Sequence, residues 1–303
     1  MSAYSELRDK NRRSLLLALC ITAVFFVIEL VGGFLTNSLA LLSDAGHMLT
    51  DVLALGMSLF AMWLAKRPPT KNHTFGYHRF EIFAAFINGL TLAGISFYIF
   101  YEAYQRFLDP PEVAGLSMML IAVFGLLVNI LSGYILHQSK DDSLNVKGAY
   151  LHVLGDALGS VGAILAGIIM WTTGWMYADP LFSVIIGVLI IVSSWRLLQD
   201  TFHVLMQGTP ADIEPEEVHH AICEMDQVVG VHDLHIWTLT NGINAMTVHV
   251  NVNKAISQKL HDGIIRKIRE MTHDQFGIQH TTVQLEMEEN GDHQCIVRSE
   301  HAH

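Results

Sequence analysis

Six apolar segments, each about long enough to cross a bilayer, occupy the first two thirds of the chain and narrow its possible folds more than any other feature. They run over residues 14–35, 39–65, 80–107, 114–137, 146–171 and 180–197. Apolar residues lie on all sides of each segment rather than along one stripe, which separates these helices from amphipathic surface helices. A chain with 51% hydrophobic and only 16% charged residues is also too apolar for an ordinary soluble protein. The expectation is an α-helical membrane protein with six transmembrane helices. Glu29 interrupts the first segment and no small-residue cleavage site follows, so that segment reads as a retained helix rather than a secretory signal.

Basic residues set the orientation. Arg8, Lys10, Arg12 and Arg13 precede the first segment, Lys66, Arg67, Lys71 and Arg79 lie between the second and third, and Lys140 and Lys147 separate the fourth and fifth. The turns on the other side, residues 36–38, 108–113 and 172–179, contain no Lys or Arg, and Arg106 is the one nearby exception. The positive-inside rule then places both termini in the cytoplasm.

Hydropathy falls to soluble levels near residue 208. Residues 214–225 read as a helix opened by Pro215, and 228–239 and 243–252 read as strands joined by the turn residues Asn241 and Gly242. Ser257 reads as the cap of a helix running to about residue 271, and 281–287 alternates as a last strand. That order implies a small α+β domain, an open sheet with helices on one face. The expected organisation is a transmembrane transport domain over 1–207, a cytoplasmic domain over 208–288, and a disordered histidine-containing tail over 289–303. Of 29 acidic residues, 15 fall after residue 207 against 6 basic ones. That acidic balance repels phosphate backbones, so nucleic acid is not an expected partner. Cys20, Cys223 and Cys295 form no Cys-x-x-Cys pair, and neither a disulfide framework nor a thiolate zinc knuckle is signalled.

One pattern occurs twice. His47 and Asp51 in the second segment stand four residues apart, as do His152 and Asp156 in the fifth. An i, i+4 spacing puts both side chains on one helix face, so each copy presents an imidazole and a carboxylate together. An ionised Asp at the bilayer centre costs at least about 2.5 kcal/mol, and a divalent cation offsets two of them at once. Two nitrogens and two carboxylate oxygens make a neutral four-ligand set that suits tetrahedral zinc, whereas magnesium and calcium prefer more oxygen ligands. Small residues around both copies, Ala45, Gly46 and Ala54, then Gly148, Gly155 and Gly159, let helices approach closely. Glu29, Asp44, Asn88 and Asn129 are also polar at membrane depth and read as packing or cavity-lining groups.

The stretch Asn37-Ser38-Leu39-Ala40-Leu41-Leu42-Ser43-Asp44-Ala45-Gly46-His47-Met48-Leu49-Thr50-Asp51 resembles the signature of the cation diffusion facilitator family. His73-Thr74-Phe75-Gly76-Tyr77-His78-Arg79 and His232-Asp233-Leu234-His235-Ile236-Trp237 are similar to its zinc branch, of the CzcD and ZitB type. The resemblance implies a homodimeric zinc-for-proton antiporter in the plasma (inner) membrane, with a cytoplasmic domain of ferredoxin-like fold. Carried over residue by residue, it assigns the transport site to His47, Asp51, His152 and Asp156. It also points to His232, His249, His261 and Glu286 as a possible cytoplasmic metal site, with Gln284 where some relatives have His. His73 and His78 fall in a loop where the family can hold a further metal. Here Thr70 and Tyr77 replace two of the ligands found in relatives, which leaves that loop site weak.

A transporter driven by a proton gradient is favoured over one driven by ATP, because no Gly-x-x-x-x-Gly-Lys pattern is present. An intramembrane metal hydrolase built on the same four residues is disfavoured. The chain lacks His-Glu-x-x-His and Gly-x-Ser-x-Gly, and a catalytic zinc keeps an open position that four ligands fill. Transport of cadmium, cobalt or manganese stays open at this level.

Overall fold

The structure, a computed structural model, describes residues 2–36, 39–109, 115–253 and 258–287. The side chains of 2–8, 29, 32–33, 36, 39–47, 50, 115–122, 179 and 258–259 lie outside the described set. Glu29, Asp44, His47, Ser257 and the expected tail over 289–303 therefore fall outside it, in whole or in their side chains. The chain divides into two compact units, Met1–Phe202 and His203–His303.

The first unit is helical among the described residues: α1 (Ser2–Thr36), α2 (Leu39–Ala65), α3 (Arg79–Leu108), α4 (Gly115–His137), α5 (Leu144–Thr173) and α6 (Ala178–Leu205), whose last turn enters the second unit. Each begins and ends within about two residues of an apolar segment boundary except α1, which extends toward the amino terminus through the polar, basic stretch, and α6, which runs eight residues past the expected end at 197. Four of the six carry a described stretch long and apolar enough to span a membrane, within α1, α3, α5 and α6. In α2 and α4 the described apolar stretches, Asp51–Ala65 and Val123–His137, are shorter. The end of α5 shows how an apolar helix stops: Gly174 adopts φ +72 and its N–H reaches the Met170 carbonyl at 2.9 Å, a left-handed cap that glycine accepts without strain.

Leu15 and Ala18 of α1, Leu55 and Met62 of α2, Leu136 of α4, and Val146, Ala149 and Val153 of α5 form one buried cluster. It fills the end of the bundle where α1 starts. The α6 helix is held by close approach at glycines. A Cβ on Gly187 would stand 2.6 Å from Cε1 of Phe100 on α3, and one on Gly148 would meet Leu197 Cδ2 at 3.3 Å. Gly187→Leu is therefore expected to destabilise the bundle by about 1–3 kcal/mol through overpacking. The check is the thermal midpoint of the detergent-solubilised protein; an unchanged midpoint would mean that α3 and α6 are not in close contact there.

In the second unit, α7 (Pro215–Cys223) opens on its proline, which fits the first turn because the missing N–H has no helical partner there. The strands β1 (Val228–Thr240) and β2 (Ile243–Val252) form an antiparallel hairpin whose turn places Gly242 at φ +73. After β2 the chain crosses through α8 (Gln258–Phe276) to β3 (Ile278–Glu286), which pairs parallel to β2, and the sheet order is β1-β2-β3. Met246, Val248, Val250 and Val252 on one face of β2 pack with Val218 and Ile222 of α7 and Ile264 and Ile268 of α8. This is the α+β arrangement expected, with the helices covering one face.

Candidate metal centre

Within the first unit, α2 and α5 bring together Asp51, His152 and Asp156, with their ligand atoms all within 4.8 Å of one another. Asp51 and His152 are buried, at 4% and 3% exposure. The His152 Nε2 lies 3.0 Å from Asp51 Oδ1 and 3.9 Å from Asp156 Oδ2. An imidazole nitrogen facing two carboxylate oxygens in an apolar bundle is a costly arrangement unless the charges are compensated. The backbone of His47 lies on α2, one turn before Asp51, and its side chain is outside the described residues.

Two turns along, the same helix faces meet again. Ser58 follows Asp51 by seven residues and Asn145 precedes His152 by seven, and Asn145 Nδ2 donates to the Ser58 carbonyl at 2.9 Å. Asn88 of α3 donates from Nδ2 to Ser58 Oγ at 3.2 Å. At 1.5 Å rise per residue this polar cluster sits about 10 Å from the carboxylates. Asn88 thus ties α3 to Ser58 of α2, which Asn145 ties to α5, while Ser58 and Asn145 were not singled out from the sequence. Their signal was the seven-residue offset from each ligand pair.

In the second unit, hairpin register sets His232 directly opposite His249, their rings 5.2 Å apart. Glu286 bridges both: Oε2 is 3.3 Å from His232 Nε2 and Oε1 is 2.9 Å from His249 Nδ1. Gln284 donates from Nε2 to Glu286 Oε1 at 2.7 Å, which orients the carboxylate. These three potential ligands are half-buried and lie on the sheet face away from the helices. His261 does not join them. It sits on the core-facing stripe of α8, one turn before Ile264, with Nε2 buried and without a hydrogen-bond partner.

A model of the cation efflux transmembrane domain matches residues 15–206, and one of the cation efflux protein's cytoplasmic domain matches residues 210–288. The chain belongs to the cation efflux family. A "Cadmium, cobalt and zinc/H(+)-K(+) antiporter" of Bacillus velezensis is 46% identical over 285 residues, covering 93% of this chain and 91% of the relative. The "Metal cation efflux system protein CzcD" of Cupriavidus metallidurans is 45% identical over 277 residues, 91% of this chain and 87% of the relative. "Zinc transporter ZitB" of Escherichia coli is 46% identical over 280 residues, 92% of this chain and 88% of the relative. This cation efflux chain is accordingly a membrane transporter of metal cations and not an enzyme.

The remaining expected ligands of this cation efflux protein lie apart. Among the described residues His73 and His78 belong to no group of three potential ligands. The His73 N–H reaches Thr70 Oγ1 at 3.2 Å and its ring packs on Tyr77 at 4.7 Å, while His78 precedes the first turn of α3. One acidic residue near the cytoplasmic cluster escaped the sequence reading. Asp233 has φ +47, an uncommon conformation for a residue other than glycine, and its Oδ2 stands 3.9 Å from His249 Nδ1.

Proposed function

We propose that this chain exports Zn2+ from the cytosol in exchange for H+, by alternating access around a tetrahedral site of His47, Asp51, His152 and Asp156. The observation that carries the reading is the convergence of Asp51, His152 and Asp156 inside the helical bundle. The names of the relatives, which include zinc among their cargoes, support the choice of ion. Zinc on two imidazoles and two carboxylates leaves the site without net charge, which lowers the cost of holding a divalent ion at membrane depth.

Proton exchange follows from the ligands themselves. Imidazole and carboxylate must be deprotonated to bind metal, so protons arriving from outside compete with zinc and favour its release there. The protonated ligands then carry protons inward when the site reopens to the cytosol. In this reading all six helices cross the membrane, both termini are cytoplasmic, and the protein sits in the plasma membrane as a homodimer. Residues 1–207 transport, 208–288 dimerise and respond to metal, and 289–303 form a tail.

The test is simultaneous measurement of zinc and proton flux in sealed proteoliposomes containing only this protein. Opposed fluxes are expected, with zinc movement driven by an imposed pH gradient. Zinc movement without opposing proton movement at every gradient would reduce the protein to a uniporter.

His232, His249 and Glu286 form a second, sensing zinc site in the same reading. His249→Ala removes one of its three ligands. Loss of a mere supporting partner of a metal ligand costs about 10–100-fold in affinity, and loss of a ligand should cost no less. Equilibrium dialysis of the full-length variant should show one fewer tightly bound zinc per protomer, with transport at saturating zinc retained. An unchanged zinc stoichiometry would remove the second site.

A further inference from the structure

At the end of the bundle where α1 begins, α1 and α4 border an open cavity of about 520 Å3 lined by Asp9, Lys10, Arg13, Leu17, Ile135 and Gln138. Its charges are unequally compensated. Lys66 Nζ holds Asp9 Oδ1 at 2.8 Å, and Lys10 Nζ is shared between Asp142 Oδ2 at 3.3 Å and the Gln138 carbonyl at 2.9 Å. Among the described residues Arg13 has no carboxylate within ion-pair distance. Its nearest acid is Asp9, one turn before it, whose carboxylate Lys66 already holds, so the cavity offers a guanidinium without a direct carboxylate partner among the described residues, with five donors in a planar fork that matches a phosphate.

The apolar half of the lining continues into the membrane. Arg13, Leu17, Val24 and Ile28 share one face of α1, and the last three are 55%, 56% and 58% exposed. From Leu17 to Ile28 this lane runs about 16 Å, close to half the roughly 30 Å hydrocarbon thickness of a bilayer. Below Ile135, Leu131 and Phe124 of α4 are exposed as well. Ser14, which also lines the cavity, and Ser139 in the turn after α4 are hydrogen-bonded at 3.1 Å and join α1 to that turn. A cationic cup above an apolar lane of one leaflet's depth is the complement of a single amphiphile carrying a negative headgroup.

We propose that this cavity binds the phosphate headgroup of an anionic phospholipid, with its acyl chains along α1 and α4. A zwitterionic lipid presents the same phosphate but adds an ammonium group that the neighbouring Arg13 and Lys10 charges disfavour. A free phosphate satisfies Arg13 but leaves the lane unused. The lipid would tie α1 to α4, the outer partners of the helices that carry the Asp51 and His152 cluster. This inference uses none of the metal ligands, so its failure leaves the transport reading intact.

The test is native mass spectrometry of the full-length protein in detergent, titrated with phosphatidylglycerol or phosphatidylcholine of identical chains. The parent should prefer phosphatidylglycerol. Arg13→Gln should weaken that binding about fivefold, the effect of one basic side chain at a membrane surface, Arg13→Lys should keep most of it, and Arg12→Gln, outside the cavity, should leave it unchanged. Millimolar inorganic phosphate should fail to displace the lipid. Equal binding of the two lipids by the parent, or an Arg13→Gln variant that keeps the preference, would overturn the proposal. Complete displacement by inorganic phosphate would overturn it too, assigning the cavity to a soluble anion.

Discussion

In the transport site proposed above, Asp156→Ala is expected to abolish zinc transport while leaving the protein folded and its oligomeric state unchanged. Asp156 belongs to the three-residue group inside the bundle, its Oδ2 3.9 Å from His152 Nε2. In that reading its removal takes away one ligand and one of the two negative charges that would balance the ion. An uncompensated charge at the bilayer centre costs at least about 2.5 kcal/mol. At about 1.4 kcal/mol per factor of ten, that is roughly a 60-fold loss of affinity before the missing bond is considered. Asp156→Asn keeps the size of the side chain and loses only the charge, so it should fail as well. Zinc flux into proteoliposomes and the elution volume of the purified variant together check this. Flux near the parental rate from a correctly assembled variant would remove Asp156 from the site.

His47→Asp keeps transport but alters which ion is carried and at what pH. The i, i+4 relation to Asp51 is unchanged, so the ligand stays on the same face of α2 while one nitrogen becomes an oxygen. A harder, more anionic site relaxes the preference for zinc over larger divalent ions such as cadmium and manganese, which are less confined to four ligands. The pH profile moves in a defined direction. An imidazole with an ordinary pKa near about 6.5 binds protons in competition with zinc through mildly acidic pH, whereas a carboxylate near about 3.9 does not. The variant should therefore lose less zinc binding than the parent as pH falls from neutral, and so release zinc less readily toward an acidic exterior. Zinc and cadmium fluxes of both proteins over a pH series make the comparison. Identical metal ratios and identical profiles would assign His47 to helix packing.

Much of the architecture was legible because its cause is local. A helix that must satisfy its backbone without water announces itself as a long apolar run, and α2 through α5 start and stop near the edges of such runs, while α6 starts at one and continues past its end. The two strands flanking Asn241 and Gly242 were equally plain, since a tight turn that needs positive φ at one position selects glycine there, as at Gly242. The paired His and Asp could be read as candidates for one site because 3.6 residues per turn fixes which side chains share a face.

The cytoplasmic cluster depended on something periodicity does not carry. Between His232 and His235 the register of β1 slips against β2: three residues on β1 span two on β2. Counting back by twos from the buried Ile236 would place His232 on the face that packs against the helices. The bulge at Asp233 reverses that parity, so Val231 enters the core and His232 faces His249 and Glu286. His261 falls on the other side because α8 covers the opposite face of the sheet. Residue order alone specifies the apolar helices, the αββαβ unit and the two His-x-x-x-Asp motifs, since each follows from the chain's own periodicity. Which of the candidate side chains meet is settled by packing, because meeting depends on helix contacts across the bundle and on one extra residue in a strand, neither of which has a signature along the chain.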